Sequence, residues 1–329
     1  MTRIRVRTVR VAVIPTGGEL VPPGKVPGPG ESIASNPIAI RALLAQQGAE
    51  TVAHEVVPDD PEEIRVAIEA LQAEADLIVV CGGSGRGTRD VVFDVVRSLG
   101  DIVIDGVAAR PGRAFLVVRA GDVPVVSLPG RAQPVGLLTE YFLAPLLAAW
   151  GLPAVTPPLV RARLGLAVES DPGFTETIPL SVARVERSTV GLRQPRGRRG
   201  THSQLRANAR LLIPDGIAGY AAGDEVDIEL LDDPDGPART VLVAGAVEGL
   251  GLLETRYRIA VVPCDEHEAQ ALLDRSACHL AVLKDAPDAP MPTWQLRLGG
   301  YGDLLLAAPP GLAHDPKVRA VLTALNITR

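Results

Sequence analysis

The sequence predicts an α/β protein. Its first part is a three-layer, mostly parallel sheet with helices on both faces, followed by a small β domain and a small α/β domain. Three observations carry this. Between residues 9 and 150, short apolar runs alternate with helix-forming segments, the pattern of a parallel sheet covered by helices. Between residues 160 and 231 the helix signals fade and polar–apolar alternation takes over. From Val241 onward strands and helices alternate again.

Residues 9–14 are rich in branched apolar side chains and read as a buried strand, closed by the turn signal Pro15-Thr16-Gly17-Gly18. Residues 22–33 are a Gly/Pro-rich loop. Asn36 stands as the cap of a helix over 37–47, with Pro37 in the first position and Gly48 beyond the end. Residues 51–57 read as a strand. Asp60 caps a helix running to about residue 73, with Pro61 at its start and Glu63 as capping-box partner. Residues 77–80 form a short apolar strand, 81–88 a Gly-rich loop, and Asp90 opens a helix to about residue 99. Strands follow near 102–104, 114–118 and 123–128. A last helix begins near Gln133 and ends before Gly151.

Pro-rich residues 153–158 read as a linker. Alternation is clearest at 181–190 and 225–230, while the basic stretch 195–200 reads either as a hairpin tip or as an arm over an anionic ligand. Residues 231–239 look like a second junction. Beyond it, 257–262 and 279–283 read as strands, 266–273 as a helix, and 315–325 as a terminal helix opened by Asp315 and Pro316. The expected domains are therefore 1–153 (α/β), 154–234 (β-rich) and 235–329 (small α/β).

Composition narrows the function. Hydrophobic residues are 47% and charged residues 22%, the balance of a soluble globular chain. The net charge of -6 and the 3% aromatic content argue against a nucleic-acid surface, which needs positive charge and stacking platforms. No apolar run of membrane or signal length occurs, so no membrane partner and a cytoplasmic location are expected. Cys81, Cys264 and Cys278 show neither metal spacing nor a disulfide framework.

The loops that follow strands are where open α/β sheets place ligands. In Gly82-Gly83-Ser84-Gly85-Arg86-Gly87-Thr88, successive backbone N–H groups and the following helix start can cradle an anion. Ser84 and Thr88 add hydroxyl donors, and Arg86 adds charge. Asp90 is the candidate catalytic residue and Mg²⁺ ligand, or simply a helix cap. A tight structural turn is the alternative use of these glycines. The P-loop pattern is absent. Pro111-Gly112-Arg113 and Pro129-Gly130-Arg131 repeat one short turn whose arginines can grip phosphate with paired hydrogen bonds, or face solvent. With Thr16, Gly17 and Gly18 these loops make the candidate site for a phosphorylated small molecule.

These motifs, in this order and spacing, resemble the molybdopterin-binding domain family of molybdenum-cofactor biosynthesis. Thr16-Gly17-Gly18-Glu19-Leu20 is similar to its Thr-Gly-Asp-Glu-Leu turn, Ser35-Asn36 to its Ser-Asn helix start, and the 82–90 loop to its main signature. Pro111-Gly112-Arg113 and Leu128-Pro129-Gly130 resemble its Pro-Gly-Lys-Pro and Leu-Pro-Gly-Asn-Pro. Residues 200–226 resemble the C-terminal β domain of the molybdopterin molybdenumtransferases. The stretch from Val241 resembles a shortened periplasmic-binding-protein-like region. The resemblance implies molybdopterin, free or adenylated, as ligand, and a homo-oligomer. It also implies one of two Mg²⁺-dependent activities, adenylation of molybdopterin or insertion of molybdate.

The departures point toward binding without turnover, as in a sensor or regulator. The family's first-turn acid is Gly18 here, its Asp before Ser-Asn is Ala34, its Asn-Pro is Arg131-Ala132, and its lysine is Arg113. The molybdate-inserting branch's extra N-terminal domains have no expected counterpart in this sequence. Lost carboxylates remove metal and base positions, while added arginine strengthens anion binding.

Overall fold

In the computed structural model, the described residues are 8–82, 91–195, 206–231, 233–245, 248–287, 290–298 and 302–327. The chain divides into two compact units, Met1–Thr156 and Pro157–Arg329.

The first unit is built on a six-stranded sheet. Its strands are β1 (Arg10–Pro15), β4 (Glu50–Ala53), β5 (Leu77–Cys81), β6 (Asp101–Asp105), β8 (Leu116–Ala120) and β9 (Val123–Leu128). The short pairs β2 (Leu20–Val21) with β3 (Ser32–Ile33), and the two-residue β7 (Ala109–Arg110), lie outside it. The order is β4-β1-β5-β9-β8-β6. β4, β1, β5 and β9 run parallel, and β8 turns back antiparallel on β9.

The helices are α1 (Asn36–Gln46), α2 (Pro61–Leu71), α3 (Val91–Ser98), α4 (Ala132–Leu138) and α5 (Ala144–Ala149). Alternation along the buried strands sends neighbouring side chains to opposite faces. Ala12, Ile14, Ile78 and Val80 pack with Ile64 and Ile68 of α2 and Val92 and Val96 of α3. Val11, Val13, Leu77 and Val79 pack with Ile40 and Leu44 of α1 and Leu138 and Leu147 of the last helices. Two cores on two faces make the expected three layers.

Two local expectations change. The helix expected from Gln133 onward is interrupted by a π turn at Thr139–Leu143. Pro145, just inside α5, has no N–H to continue the regular ladder, and a wider turn absorbs that loss. Asn36 does not cap α1. Ser35 is the cap, without a side-chain cap hydrogen bond, and Asn36 is the first helical residue. Asp60 does cap α2, accepting from the N–H groups of Glu62 and Glu63.

In the second unit, β10 (Leu159–Leu164), β12 (Thr175–Val185), β13 (Ser188–Arg193), β14 (Ala209–Ile213) and β16 (Glu225–Leu230) pair in the order β13-β10-β16-β14-β12. β12 also pairs with β13, which closes the ring into a small barrel. A short pair, β11 (Val168–Glu169) with β15 (Gly219–Tyr220), flanks it. The alternation read at 181–190 spans two strands and turns at Glu186, whose φ of 52° is left-handed. Ile178, Leu180, Leu211 and Ile228 fill the barrel.

A five-stranded sheet follows, in the order β18-β17-β19-β21-β20. It comprises β17 (Thr240–Ala244), β18 (Arg258–Val262), β19 (Leu280–Leu283), β20 (Thr293–Leu298) and β21 (Gly302–Ala307), with helices α6 (Glu266–Asp274) and α7 (Pro316–Ala324). The hairpin β20–β21 adds two strands beyond those expected from the sequence. Ala183, Val185, Val190 and Leu192 of the barrel share one buried cluster with this sheet. The boundary expected between residues 234 and 235 falls inside this unit. Asn208 helps hold it together. Its Oδ1 accepts from the Val182 N–H at 2.7 Å, and its Nδ2 donates to Val182 O and to Thr240 Oγ1.

Candidate functional site

The site lies at the carboxyl ends of the parallel strands β1, β5 and β9. Three backbone hydrogen bonds join the turns there. Thr16 N–H donates to Cys81 O at 3.0 Å, Gly17 N–H to Val57 O at 3.1 Å, and Gly82 N–H to Leu128 O at 3.2 Å. Gly82 has a φ of +150°, and a Cβ on it would lie 2.1 Å from Thr16 O and 2.2 Å from Thr16 Oγ1. Only glycine fits that approach. Thr16 is 1% exposed, and its Oγ1 has no hydrogen-bond partner among the described residues. A buried hydroxyl left in this state is costly unless something arrives to satisfy it.

Two helix starts converge on the same point. Asn36 Nδ2 at the head of α1 donates to Gly130 O at 2.8 Å, just ahead of α4. Ser35 and Arg131 are the N-terminal cap residues of α1 and α4. Neither makes a side-chain cap hydrogen bond, and neither helix has an acid in its first turn. Helix N-termini carry partial positive charge, although here Pro37 and Pro134 each remove an N–H from the first turn and the Ile38 N–H already donates to Ser35 O. Between them is a cleft of about 620 Å³, lined by Thr16, Glu19, Ser32, Asn36, Gly82 and Arg131 among others. Among its described lining residues Arg131 is the one cation and Glu19 the one acid. Arg131 is exposed and has no ion-pair partner among the described residues.

Cys81 also lines the cleft, yet burial pushes its thiol up to about 12, so it stays protonated near neutrality and is no nucleophile. Outside the lining, Gly18 N–H donates to Asp59 Oδ2 at 3.4 Å. A carboxylate from the β4–α2 connection therefore stands beside the turn position that carries no acid of its own.

Of the residues singled out from sequence, Thr16, Gly82, Gly130 and Arg131 line the cleft. Gly17, Gly18 and Pro129 sit in the same turns without lining it. Pro111, Gly112 and Arg113 do not line it either. Gly112, with φ +129°, backs onto Leu138, whose Cδ2 would lie 3.1 Å from an added Cβ. The carbonyl of Arg113 accepts from Val107 and Phe115 N–H groups. That turn is tied to the strand connection and to α4. Gly83, Ser84, Gly85, Arg86, Gly87, Thr88 and Asp90 lie outside the described residues. Sequence reasoning passed over Glu19 and Asn36 as site residues, although both stand inside motifs it used.

Among the described residues no group of three or more His, Cys, Asp and Glu side chains can hold a metal. No helix among them is long and apolar enough to cross a membrane.

Residues 12–149 match the family model described as a probable molybdopterin binding domain. The chain is 27% identical over 237 residues to a putative molybdopterin biosynthesis protein of Methanocaldococcus jannaschii, covering 70% of this chain and 57% of that protein. It is 31% identical over 226 residues to molybdopterin molybdenumtransferase 2 of Mycobacterium tuberculosis, covering 67% and 56%. The crystal structure of a molybdopterin biosynthesis protein from Pyrococcus horikosii superimposes with a TM-score of 0.59 at 27% identity, covering 69% of this chain and 55% of that one. The chain thus spans a little over half the length of the curated relatives it matches.

Proposed function

Because this chain belongs, through residues 12–149, to the molybdopterin-binding family of molybdenum-cofactor biosynthesis proteins, we propose that its first unit holds molybdopterin or a closely related phosphorylated pterin or nucleotide in the cleft between Thr16, Gly82 and Arg131. Its role is then in molybdenum-cofactor biosynthesis, and we assign it to the cytoplasm as a homo-oligomer.

The observation that carries this reading is the convergence of Arg131, two helix starts without acids and the unpartnered Thr16 hydroxyl on one cleft. A phosphate placed there meets a guanidinium able to form two parallel charge-assisted hydrogen bonds, together with favourable helix dipoles. The Thr16 hydroxyl gains the partner it lacks. Gly82 keeps the floor open, since any side chain would collide with Thr16. Gly83, Ser84, Gly85, Arg86, Gly87 and Thr88 are the further phosphate-loop residues in this reading. Gly17, Gly18 and Pro129 shape the turns around it. Pro111, Gly112 and Arg113 support α4 rather than touch the phosphate.

One observation favours a second reading. Glu19 puts a carboxylate in the cleft. With Asp90 as Mg²⁺ ligand, the pair fits adenylyl transfer to molybdopterin or molybdate insertion. Gly18 and Ala34, at positions where the resembled family carries acids, support holding over turnover. Anaerobic incubation with molybdopterin, ATP and Mg²⁺, and separately with adenylated molybdopterin, Mg²⁺ and molybdate, separates the two. The holding reading expects retained pterin and neither adenylated pterin from the first incubation nor AMP from the second. Product formed in proportion to protein overturns it.

A further inference from the structure

The second unit carries a groove of about 630 Å³ between the segment ahead of β18 and one face of α7. Residues 316, 319, 320, 323 and 324 of α7 recur at helical spacing and present that face. Its volume is in the range that holds small ligands, roughly 300–1,000 Å³.

The charges make it unusual. Arg256 and Arg319 reach the groove from two different elements, with His314 beside them and Glu254 as the one acid of the lining. Neither arginine has an ion-pair partner among the described residues. Several other exposed arginines of this acidic chain are matched, as in Arg97–Asp105, Arg119–Asp101 and Arg161–Asp227, while Arg256 and Arg319 converge on one groove unmatched among the described residues. The Arg256 guanidinium is also held in place, stacked over the Tyr257 ring at 4.9 Å from its centroid. A stacked guanidinium loses less freedom on binding a second group than a free one. Thr323 adds an exposed hydroxyl, and Ala320 and Ala324 leave an apolar floor.

We propose that this groove is a second anion site, for a phosphorylated small molecule. Arg256 and Arg319 clamp the phosphate from two sides, and His314 and Thr323 donate at its edge. Glu254 faces the remainder of the ligand, where a carboxylate accepts from hydroxyl or amino groups and repels a second anion. The site is independent of the cleft in the first unit.

The test follows the His314 ring resonances of the full chain by NMR during titration with inorganic phosphate and with ribose 5-phosphate, the assignment made with His314→Gln. The proposal expects a saturable His314 shift, tighter for the sugar phosphate. Arg256→Gln with Arg319→Gln weakens it at least about tenfold, the loss of one or more charge-assisted hydrogen bonds. Arg131→Asn leaves it unchanged. All variants should melt with the native protein, because these side chains are exposed. A His314 resonance that does not move, that moves equally in the double variant, or that is lost in Arg131→Asn overturns the proposal.

Discussion

Thr16 closes over Gly82 so tightly that a methyl group on residue 82 would sit 2.1 Å from the Thr16 carbonyl oxygen and 2.2 Å from its hydroxyl. The first turn of the sheet and the start of the Gly-rich loop are therefore one packed object. Gly82→Ala is expected to cost on the order of 2–4 kcal/mol of stability, since backbone must move and a positive φ must be held. Gly18→Ala is the control, because an added Cβ there meets nothing within 4 Å. Urea unfolding of both variants checks this. Equal stabilities would mean that the approach relaxes freely.

Asn36 ties the two helix starts of the cleft through its hydrogen bond to Gly130 O. Asn36→Ala should lower stability by about 1 kcal/mol. It should also weaken pterin binding by more than that loss, because the two helix starts would no longer be held to one ligand. Parallel unfolding and binding titrations decide. Unchanged affinity would confine Asn36 to a structural role.

How much of this was legible in the sequence depends on the range of the interaction. The strands of the first unit announce themselves through runs such as Leu77–Cys81, because burial on both faces demands unbroken apolar residues. Asp60, with proline behind it, is read correctly as a cap because capping is local. Asn36 carries the same local signal and is misread, since its amide is taken by Gly130, 94 residues away. The strands 181–185 and 188–190 merge in the sequence because Glu186 takes a left-handed turn without a glycine to mark it. Arg113 and Arg131 look alike in their Pro-Gly turns. Only the packing of Gly112 on Leu138 separates the turn that supports a helix from the turn that lines the cleft.

A buried basic pair in the second unit sets a pH dependence. His279 is fully buried, and its Nδ1 accepts from the Leu242 N–H at 3.1 Å, so the neutral ring carries its proton on Nε2. Lys317 Nζ lies 3.3 Å from that Nε2 and donates to Arg184 O at 2.9 Å. Burial first, and Lys317 second, depress His279 from 6.5 to about 3. Burial also lowers Lys317, against the attraction of Asp315 and with the repulsion of Arg184. Between pH 6.5 and 3 the unfolded histidine binds a proton that the folded one refuses, so stability falls as pH falls through that window. The slope is about 1.4 kcal/mol per pH unit. His279→Gln, whose amide can still accept from Leu242, should flatten that slope in urea unfolding at several pH values. Parallel curves for wild type and variant would contradict the assignment.

The central claim is that the cleft beside Arg131 grips the phosphate of a pterin, and anaerobic titration of molybdopterin into wild type and Arg131→Asn tests it most directly. Asparagine keeps a polar side chain at the start of α4 but removes the guanidinium, and with it charge-assisted hydrogen bonds worth about 1.5–3 kcal/mol. The account predicts saturable binding to the wild-type protein and an affinity lower by roughly tenfold to hundredfold in the variant. Equal affinity would place Arg131 in solvent, away from the ligand. Tighter binding by Arg131→Asn would show the guanidinium filling the pocket, and would contradict molybdopterin as the natural ligand of this chain.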